Sequence, residues 1–527
     1  MRGPKPLFLV ALIAGLVVAS VLGILLKGGL HITHFDGDAL HLADIIGRMR
    51  AGEAPHQDFM TPIGVWAFTP IAVFVRAGFD LAMSFALGQA LFAVALAVWV
   101  VRAAATRLPP ATGYAFAAIS ALLVMSLSHG STGNLAISMH YNRWAWVMAF
   151  SVILLSLLPN RSESRPLTDG VLIGTGLASL VLLKITFFVA FAPAIALILL
   201  LRREIAMLLV AVLAGLLSAV VLWFALGSTH WLAYLSDLQT VAASDLRTAP
   251  GLGLADLVVS PPYLPGAALT VIAAILLRRS GQRYVGLGLL LLFPAFVYVT
   301  WQNFGNDPIW LILLAVILFA MRPEPDGKGD VMRRAVGVAG MAAAVLAAPL
   351  TLSHGLSVPR HLVLLTTTHV PLIEEADGIF MPRLPAELIR GRMKLNAAGA
   401  MFDVVPDPQD PASPLQFAGD DLPDCQVTTG IPSVLRSMAR DLEVEEGPVF
   451  VADIIGSHWL FGLPRLPGGA PWNYGSLSGI AGARHLVVPL CPVNLAARRS
   501  ILEELGSEKQ VTLVRETPRL RLYSLSP

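Results

Sequence analysis

Between Leu7 and Leu352 the chain is written as eleven apolar runs separated by polar breaks. They fall at 7–26, 80–101, 112–128, 142–158, 169–183, 185–201, 205–226, 263–277, 284–301, 308–321 and 335–352. A helix that crosses the hydrocarbon core of a bilayer needs about 20 mostly apolar residues, within a range of about 17–25. Lipid offers no partner to backbone polar groups, so runs of this kind dictate helices packed in a membrane. Composition agrees. Only 14% of the 527 residues are charged and 55% are apolar, whereas soluble globular chains carry about 25% charged residues. That excludes a soluble enzyme, a disordered scaffold and a free nucleic-acid binder, so no nucleic-acid partner is expected.

The first run, 7–26, is longer than the apolar core of a typical signal peptide, and no small-residue cleavage site stands out before Lys27. It is read as an uncleaved first helix. Run 169–201 is interrupted by a single Lys184 and is read as two helices meeting there. Lys and Arg gather in cytoplasmic loops. With the N-terminus inside, the inside loops hold 15 of the 22 basic residues of 1–352. Eleven crossings then put the C-terminus outside, which in a bacterial cell means an inner-membrane protein with its tail in the periplasm. Three outside segments are large: 27–79, 227–262 and everything from 353. Polar sequence concentrated on one face points to chemistry or recognition there.

The tail is different material. Residues 1–352 carry 22 basic and 16 acidic side chains, a balance of +6, whereas 353–527 carry 15 and 19, a balance of −4. Stretches 448–453, 485–489 and 511–514 read as strands, 432–442 and 494–505 as helices, and 519–524 as a last edge strand. Alternation of the two predicts a small α/β domain. Cys425 and Cys491, the only cysteines, both lie in it and are expected to bond if their strand regions meet on an oxidising side. Trp459, Trp472, Asn473 and Tyr474 are candidates for a carbohydrate-binding surface, or else core and turn residues. The expected fold is thus an α-helical polytopic membrane protein of about eleven spans over 1–352, followed by a soluble α/β domain over 353–527.

The first outside loop, 27–79, is the most informative stretch. An amphipathic segment opens near Asp38 with Leu42, Ile45, Ile46 and Met49 at helical spacing, and Asp36 or Asp38 can cap it. Gly52 ends it, and 63–76 is apolar but short, as in a helix lying along the membrane surface. In 227–262, Trp231, Tyr234, Leu235, Leu238 and Val241 form a similar pattern, either a lid or an ordinary interfacial loop. His31, His34, His41 and His56 share the first loop with these acids, but their spacing matches no strong ligand pattern. No cofactor is expected, and a divalent metal stays open as an alternative.

An acidic residue just after the first span, then Ala43, Gly52, Pro55, Asp58, Pro62 and Gly64, then a short apolar helix before the second span: this order resembles the glycosyltransferase C superfamily. Met139-His-Tyr-Asn-Arg143 and Lys184 look like that group too, and the resemblance runs over residues 7–200. It implies a membrane enzyme that moves a hexosyl or pentosyl unit, with inversion, from a polyprenyl-phosphate donor to a cell-envelope glycan or lipid acceptor. Asp38, or Asp36 two positions earlier, would take the acceptor's proton. Asp58 would assist or simply hold the loop. Arg143, Lys184 and Arg247 would face the donor phosphate. Arg143 could equally mark a helix end, whereas an ionisable residue at membrane depth, such as Lys184, is costly and suggests function. The rival readings are an envelope-lipid transporter or flippase, and a non-catalytic membrane scaffold.

Overall fold

The computed structural model describes residues 3–161, 165–244, 246, 253–303, 307–324, 330–383, 387–389, 415–443, 447–506 and 511–525. The chain is mostly helical, at 65%. Among the described residues, six helices are long and apolar enough to cross a membrane: α1 (Pro6–Leu26), α4 (Leu81–Arg107), α7 (Pro166–Leu201), α8 (Ile205–Leu226), α12 (Arg283–Gln302) and α14 (Asp330–Gly355). This is a polytopic membrane architecture. Between them lie α2 (Asp36–Arg50), α3 (Thr69–Arg76), α5 (Pro110–Val124), α6 (His140–Leu157), α9 (Ser228–Ala243), α10 (Leu254–Val259), α11 (Tyr263–Arg279) and α13 (Trp310–Ala320), and α15 (Ser357–Val363) follows.

Burial sorts these helices into inner and outer ones. Every residue of α6 is buried. Trp144 stacks on Phe92 of α4, ring centres 4.2 Å apart, and Trp310 of α13 stacks on Phe296 of α12. In α8 only Met207 and Ala211 are buried, and Leu213, Leu217 and Phe224 stand exposed, the last at 81%. An apolar surface of that extent is stable against hydrocarbon and not against water.

The run 169–201 forms, within α7, two helical arms that meet at Lys184 as its sequence predicts, where the backbone is extended at φ −160°, ψ 104°. Both ends of α7 lie at the same end of the bundle. Asp169 pairs with Arg102 at 2.7 Å and Arg107 at 2.6 Å near the end of α4. Arg202, just past the other end, donates to the Ser156 and Leu158 carbonyls at the end of α6. The chain therefore turns back at Lys184, which sits at the tip between two arms.

A second core lies over the bundle and is shared by the first loop and the tail. Strand β1 (Leu30–His31) joins β2 (His369–Pro371) and β3 (Ile379–Pro382) in a three-stranded sheet of order β1-β3-β2. Short ladders follow: β4 (Glu387–Ile389) pairs with β7 (Gln426–Thr429), and β5 (Leu415–Phe417) pairs with β6 (Asp420–Leu422). The main sheet of the tail contains β8 (Val449–Val451), β9 (His485–Pro489), β10 (Val511–Glu516) and β11 (Leu520–Leu525) in the order β10-β11-β9-β8, with β8 parallel to β9. Helices α16 (Ile431–Asp441) and α17 (Leu495–Gly506) pack with it. The last strand is internal, not an edge. β11 bonds to β9 on one side and β10 on the other, and Leu520, Leu522 and Tyr523 are fully buried. Cys425 and Cys491 are disulfide-bonded with Cα atoms 4.8 Å apart.

Candidate active site

Neither acid caps α2. Phe35 occupies the cap position in a left-handed conformation, φ 64°, which places Asp36 and Asp38 together in the first turn. Their carboxylates then part. Asp36 is buried and accepts from its neighbour Gly37 N at 3.0 Å and, across the outer core, from Ile431 N at 3.0 Å. It thus satisfies an otherwise open amide at the start of α16 in the tail, the work of an N-terminal cap. Asp38 accepts from the Ser138 hydroxyl at 2.8 Å and lines a cavity of about 390 Å³ with His34, Ile431, Trp472 and Asn494. Burial pushes its carboxyl up to about 6; the Ser138 bond works against that rise and the charge of Asp36 adds to it. A carboxylate with a value near neutrality is suited to accept a proton.

The stretch Ser138–Arg143 links this cavity to a second one. Ser138 holds Asp38, and Met139, at φ 47°, turns the chain into α6. Met139 and Tyr141 line a cavity of about 320 Å³ together with Lys184, Asn303 and Tyr474. Lys184 Nζ donates to Asn142 Oδ1 at 3.0 Å and to Asn303 Oδ1, and lies 5.5 Å from the centre of the Tyr141 ring. Arg143 is buried and donates to the carbonyls of Ser138 at 3.0 Å and Ser126 at 3.1 Å. It lines neither cavity and fixes the backbone that presents Ser138. The break at Lys184 is matched by Gly64 of the first loop, where a Cβ would stand 2.1 Å from the Leu182 carbonyl oxygen. No side chain fits at that point, so the loop backbone reaches the Leu182 carbonyl this closely only because residue 64 is glycine.

Trp472 lines both cavities. Its ring stacks on His41 of α2 at 4.6 Å between centres, and burial holds the His41 imidazole down to about 3, so it stays neutral. Asp38 and Lys184 thus line two cavities that share Trp472. An apolar groove of about 410 Å³ runs between the arms of α7 and α8, lined by Val181, Phe188, Leu222, Leu199 and Leu208, with Trp231 of α9 also in its wall. Helix α9 is packed against the loop. Asp237 accepts from His56 Nδ1 at 2.8 Å and Thr61 N at 3.0 Å, and Tyr234 donates to the Val181 carbonyl at 3.0 Å. Its Leu238 and Val241 form part of the wall of the Lys184 cavity.

The remaining candidates lie elsewhere. Asp58 is exposed and bonds Ala54 N at 2.7 Å, while its carbonyl accepts from Gly468 N at 3.1 Å; it shapes the loop and lines neither cavity. Arg247 lies outside the described residues. The four loop histidines separate: His31 stands beside His361 and His369, His34 at the Asp38 cavity, His41 on Trp472 and His56 on Asp237. Among the described residues, no three His, Cys, Asp or Glu side chains form a metal-holding group. Trp459 is held between Arg48 and Arg465, 5.8 and 5.5 Å from its ring, and serves the packing of α2. Sequence reasoning missed Ser138, Asn303 and Asp237. Asn303, next to Gln302 at the end of an apolar helix, was the one that carried a signal.

Comparison of the chain with known protein families, with curated proteins and with solved structures returns no match.

Proposed function

We propose that this chain is an inverting membrane glycosyltransferase of the glycosyltransferase C type, transferring a sugar from a polyprenyl-phosphate donor to a cell-envelope glycan or lipid. The reading carries with it eleven crossings, a cytoplasmic N-terminus, and loop, α9 and a soluble α/β tail domain gathered on the periplasmic face. The observation that carries it is that the cavity of a carboxylate with raised pKa, Asp38, and the cavity of a buried ammonium, Lys184, share Trp472. The apolar groove between α7 and α8, lined by Val181 and Phe188 on the two arms that meet at Lys184, adds the place a lipid chain requires.

In this scheme the acceptor hydroxyl enters beside Asp38. Its oxygen attacks the anomeric carbon of the donor as Asp38 takes the proton. The bond from that carbon to the phosphate oxygen breaks, and the electron pair leaves with the phosphate. Lys184 is the cation that meets the charge left behind. Attack from the face opposite the leaving group inverts the anomeric centre. Asp36, engaged by two amides, has a structural part.

The test is profiling of lipid-linked and envelope glycans in a strain whose only copy carries Asp38→Asn. Loss of one glycan with its lipid-linked donor accumulating supports the enzyme. An unchanged glycan profile, with the variant protein present in the membrane, overturns it and leaves the transporter or scaffold.

A further inference from the structure

The two parallel strands of the tail both run out at the Asp38 cavity. The chain leaving β8 at Val451 passes through Ile454 and Ile455, and the chain leaving β9 at Pro489 passes through Val493 and Asn494. All four of these residues line the cavity of Asp38. In α/β sheets ligands settle outside the carboxyl ends of the strands, so the tail turns its binding edge toward the acid.

Asp453 joins these two strand ends. It is buried, 3% exposed, and does not itself line the cavity. Its Oδ1 accepts from Ile454 N at 2.7 Å and Asn494 N at 3.0 Å, and its Oδ2 accepts from Val493 N at 2.7 Å. Each of the three donors belongs to a residue of the cavity wall. Burial pushes the Asp453 carboxyl up to about 6, while the three amides and the charge of Arg498 pull it down. Near neutral pH it is therefore the ionised form that holds them. The hold carries further. The Ile454 carbonyl accepts from Asn473 N at 2.7 Å, and Ile455 bridges to Trp472, the ring shared by both cavities. Asn494 Oδ1 accepts from Ala497 N at 2.9 Å, which fixes that side chain at the start of α17. One carboxylate thus underlies the whole face that the tail's strand ends present to Asp38.

We infer that Asp453 is a positioning residue of the Asp38 site: it touches no substrate, and it holds the wall of Ile454, Val493 and Asn494 against which the acceptor lies. This rests on the reading that an acceptor hydroxyl enters beside Asp38. In the same scheme the donor's phosphate and lipid chain meet other surfaces, at Lys184 and between α7 and α8, so Asp453 acts on acceptor binding and not on departure of the phosphate. Asparagine in its place keeps one acceptor oxygen and turns an amino group toward the remaining amides. Either Val493 N or the pair Ile454 N and Asn494 N then loses its partner.

The experiment compares Asp453→Asn with Asp441→Asn in the full-length protein. Asp441 is a tail carboxylate that pairs with Arg519 at 2.5 Å and lines neither cavity, so it reports general loosening of the tail. The lipid-linked donor and the unfinished acceptor that accumulate in the Asp38→Asn strain serve as substrates, each varied in turn. Asp453→Asn should raise the acceptor KM about tenfold, the size of one lost charge-assisted hydrogen bond, and leave kcat and the donor KM within about twofold. Asp441→Asn should lower the melting temperature and move none of the three. Asn494→Ser, which keeps the backbone amide that Asp453 holds and a capping hydroxyl for α17, should give the same split and serves where Asp453→Asn is not recovered folded. An unchanged acceptor KM overturns the inference, as does an equal rise in Asp441→Asn. A second readout does not depend on sugar transfer. Hydrogen exchange in peptides 452–456 and 490–495 should rise about tenfold in Asp453→Asn, while α16 stays as protected as in the parent; unaltered exchange in those peptides overturns the positioning role. If Asp38→Asn leaves the envelope glycans unchanged, the reaction reading falls and takes the acceptor role with it. If Asp38→Asn blocks transfer and Asp453→Asn leaves the acceptor KM unmoved, only the role given to Asp453 falls.

Discussion

The core around α6 and the core beneath the first loop and the tail are held in different ways. The first is an apolar interior of long helices, with Trp144, Phe92 and Trp310 stacked inside it and few polar groups, Asp169 with its two arginines among them. The second is fastened by directional contacts. Asp36 reaches the Ile431 amide, and Asp237 reaches His56 and Thr61. Arg48 joins Asp44, Glu53 and the Leu466 carbonyl, and one disulfide ties Cys425 to Cys491. Apolar burial is non-directional and spread over many residues, so single changes in the inner core are absorbed or felt only locally. Polar latches depend on single atoms. The cavities at Asp38 and Lys184 lie where the two kinds of packing meet, and the pair of acids on α2 divides along that line, one in a latch and one in a cavity.

The sharpest way to break this comparison is to exchange the acids for amides one at a time. Asp38→Asn should lower turnover by about 10²–10⁴-fold, with the fold intact. Asp36→Asn should keep most of the activity and lower the melting temperature, since weakening a cap costs about 0.5–2 kcal/mol. Transfer assays and thermal melts of both variants in detergent check this. If Asp36→Asn is the inactive one, latch and cavity have been assigned the wrong way round.

Next in size is the disulfide. Its bridge spans 66 positions, and closing a loop of that length stabilises by about 4 kcal/mol in the chain-entropy view. Reduction should raise hydrogen exchange in β7, β9 and α17 and leave the amides of α6 protected. Equal loosening of both layers would show them to be one cooperative unit.

Gly64→Ala should cost about 1–3 kcal/mol, as overpacking does, because the Leu182 backbone cannot move aside as a flexible side chain can. A thermal melt indistinguishable from the parent would show that the loop does not seat on the tip of α7.

The smallest effect is with pH. On the proposed scheme Asp38 accepts a proton only when ionised, so turnover should climb with pH through a midpoint near 6 and level off above it. The same raised value gives a sign for stability. The folded state holds this proton more tightly than the unfolded state, so Asp38 favours folding below pH 3.8, and that contribution disappears as pH rises through about 6. A rate profile with no inflection between pH 5 and 7 would remove Asp38 as the proton acceptor.

Much of this arrangement is legible in the sequence where the physics is local. Apolar runs become helices because lipid leaves the backbone no alternative. Lys184 stands out because a lone ammonium between two apolar arms has to be accounted for. α16, α17 and β9 appear within a residue of their sequence readings, since period and flanking turns mark them. What was hidden depends on distant partners. Asp36 looks like a cap for α2, but its carboxylate caps a helix 395 positions away. β11 has the alternation of an edge strand, and only its pairing with both β9 and β10 shows it to be central. Trp472 resembles any core tryptophan until the two cavities it lines are seen. Ser138, one small hydroxyl before the Met139–Arg143 stretch, has no signal of its own.

The separation between Asp36 and Ile431 also sets an order in time. A ribosome adding roughly 5–20 residues per second needs about 20–80 s to write the 395 positions between them. By then α1 to α14 have all left the ribosome, while the Asp38 cavity still lacks Ile431, Trp472 and Asn494 from its wall. A nascent or truncated chain therefore carries its acid on an unfinished surface, open to water and without an enclosing pocket. Ile431, Trp472 and Asn494 complete the wall of the Asp38 cavity, so that cavity closes only after these residues have been made and folded onto α2.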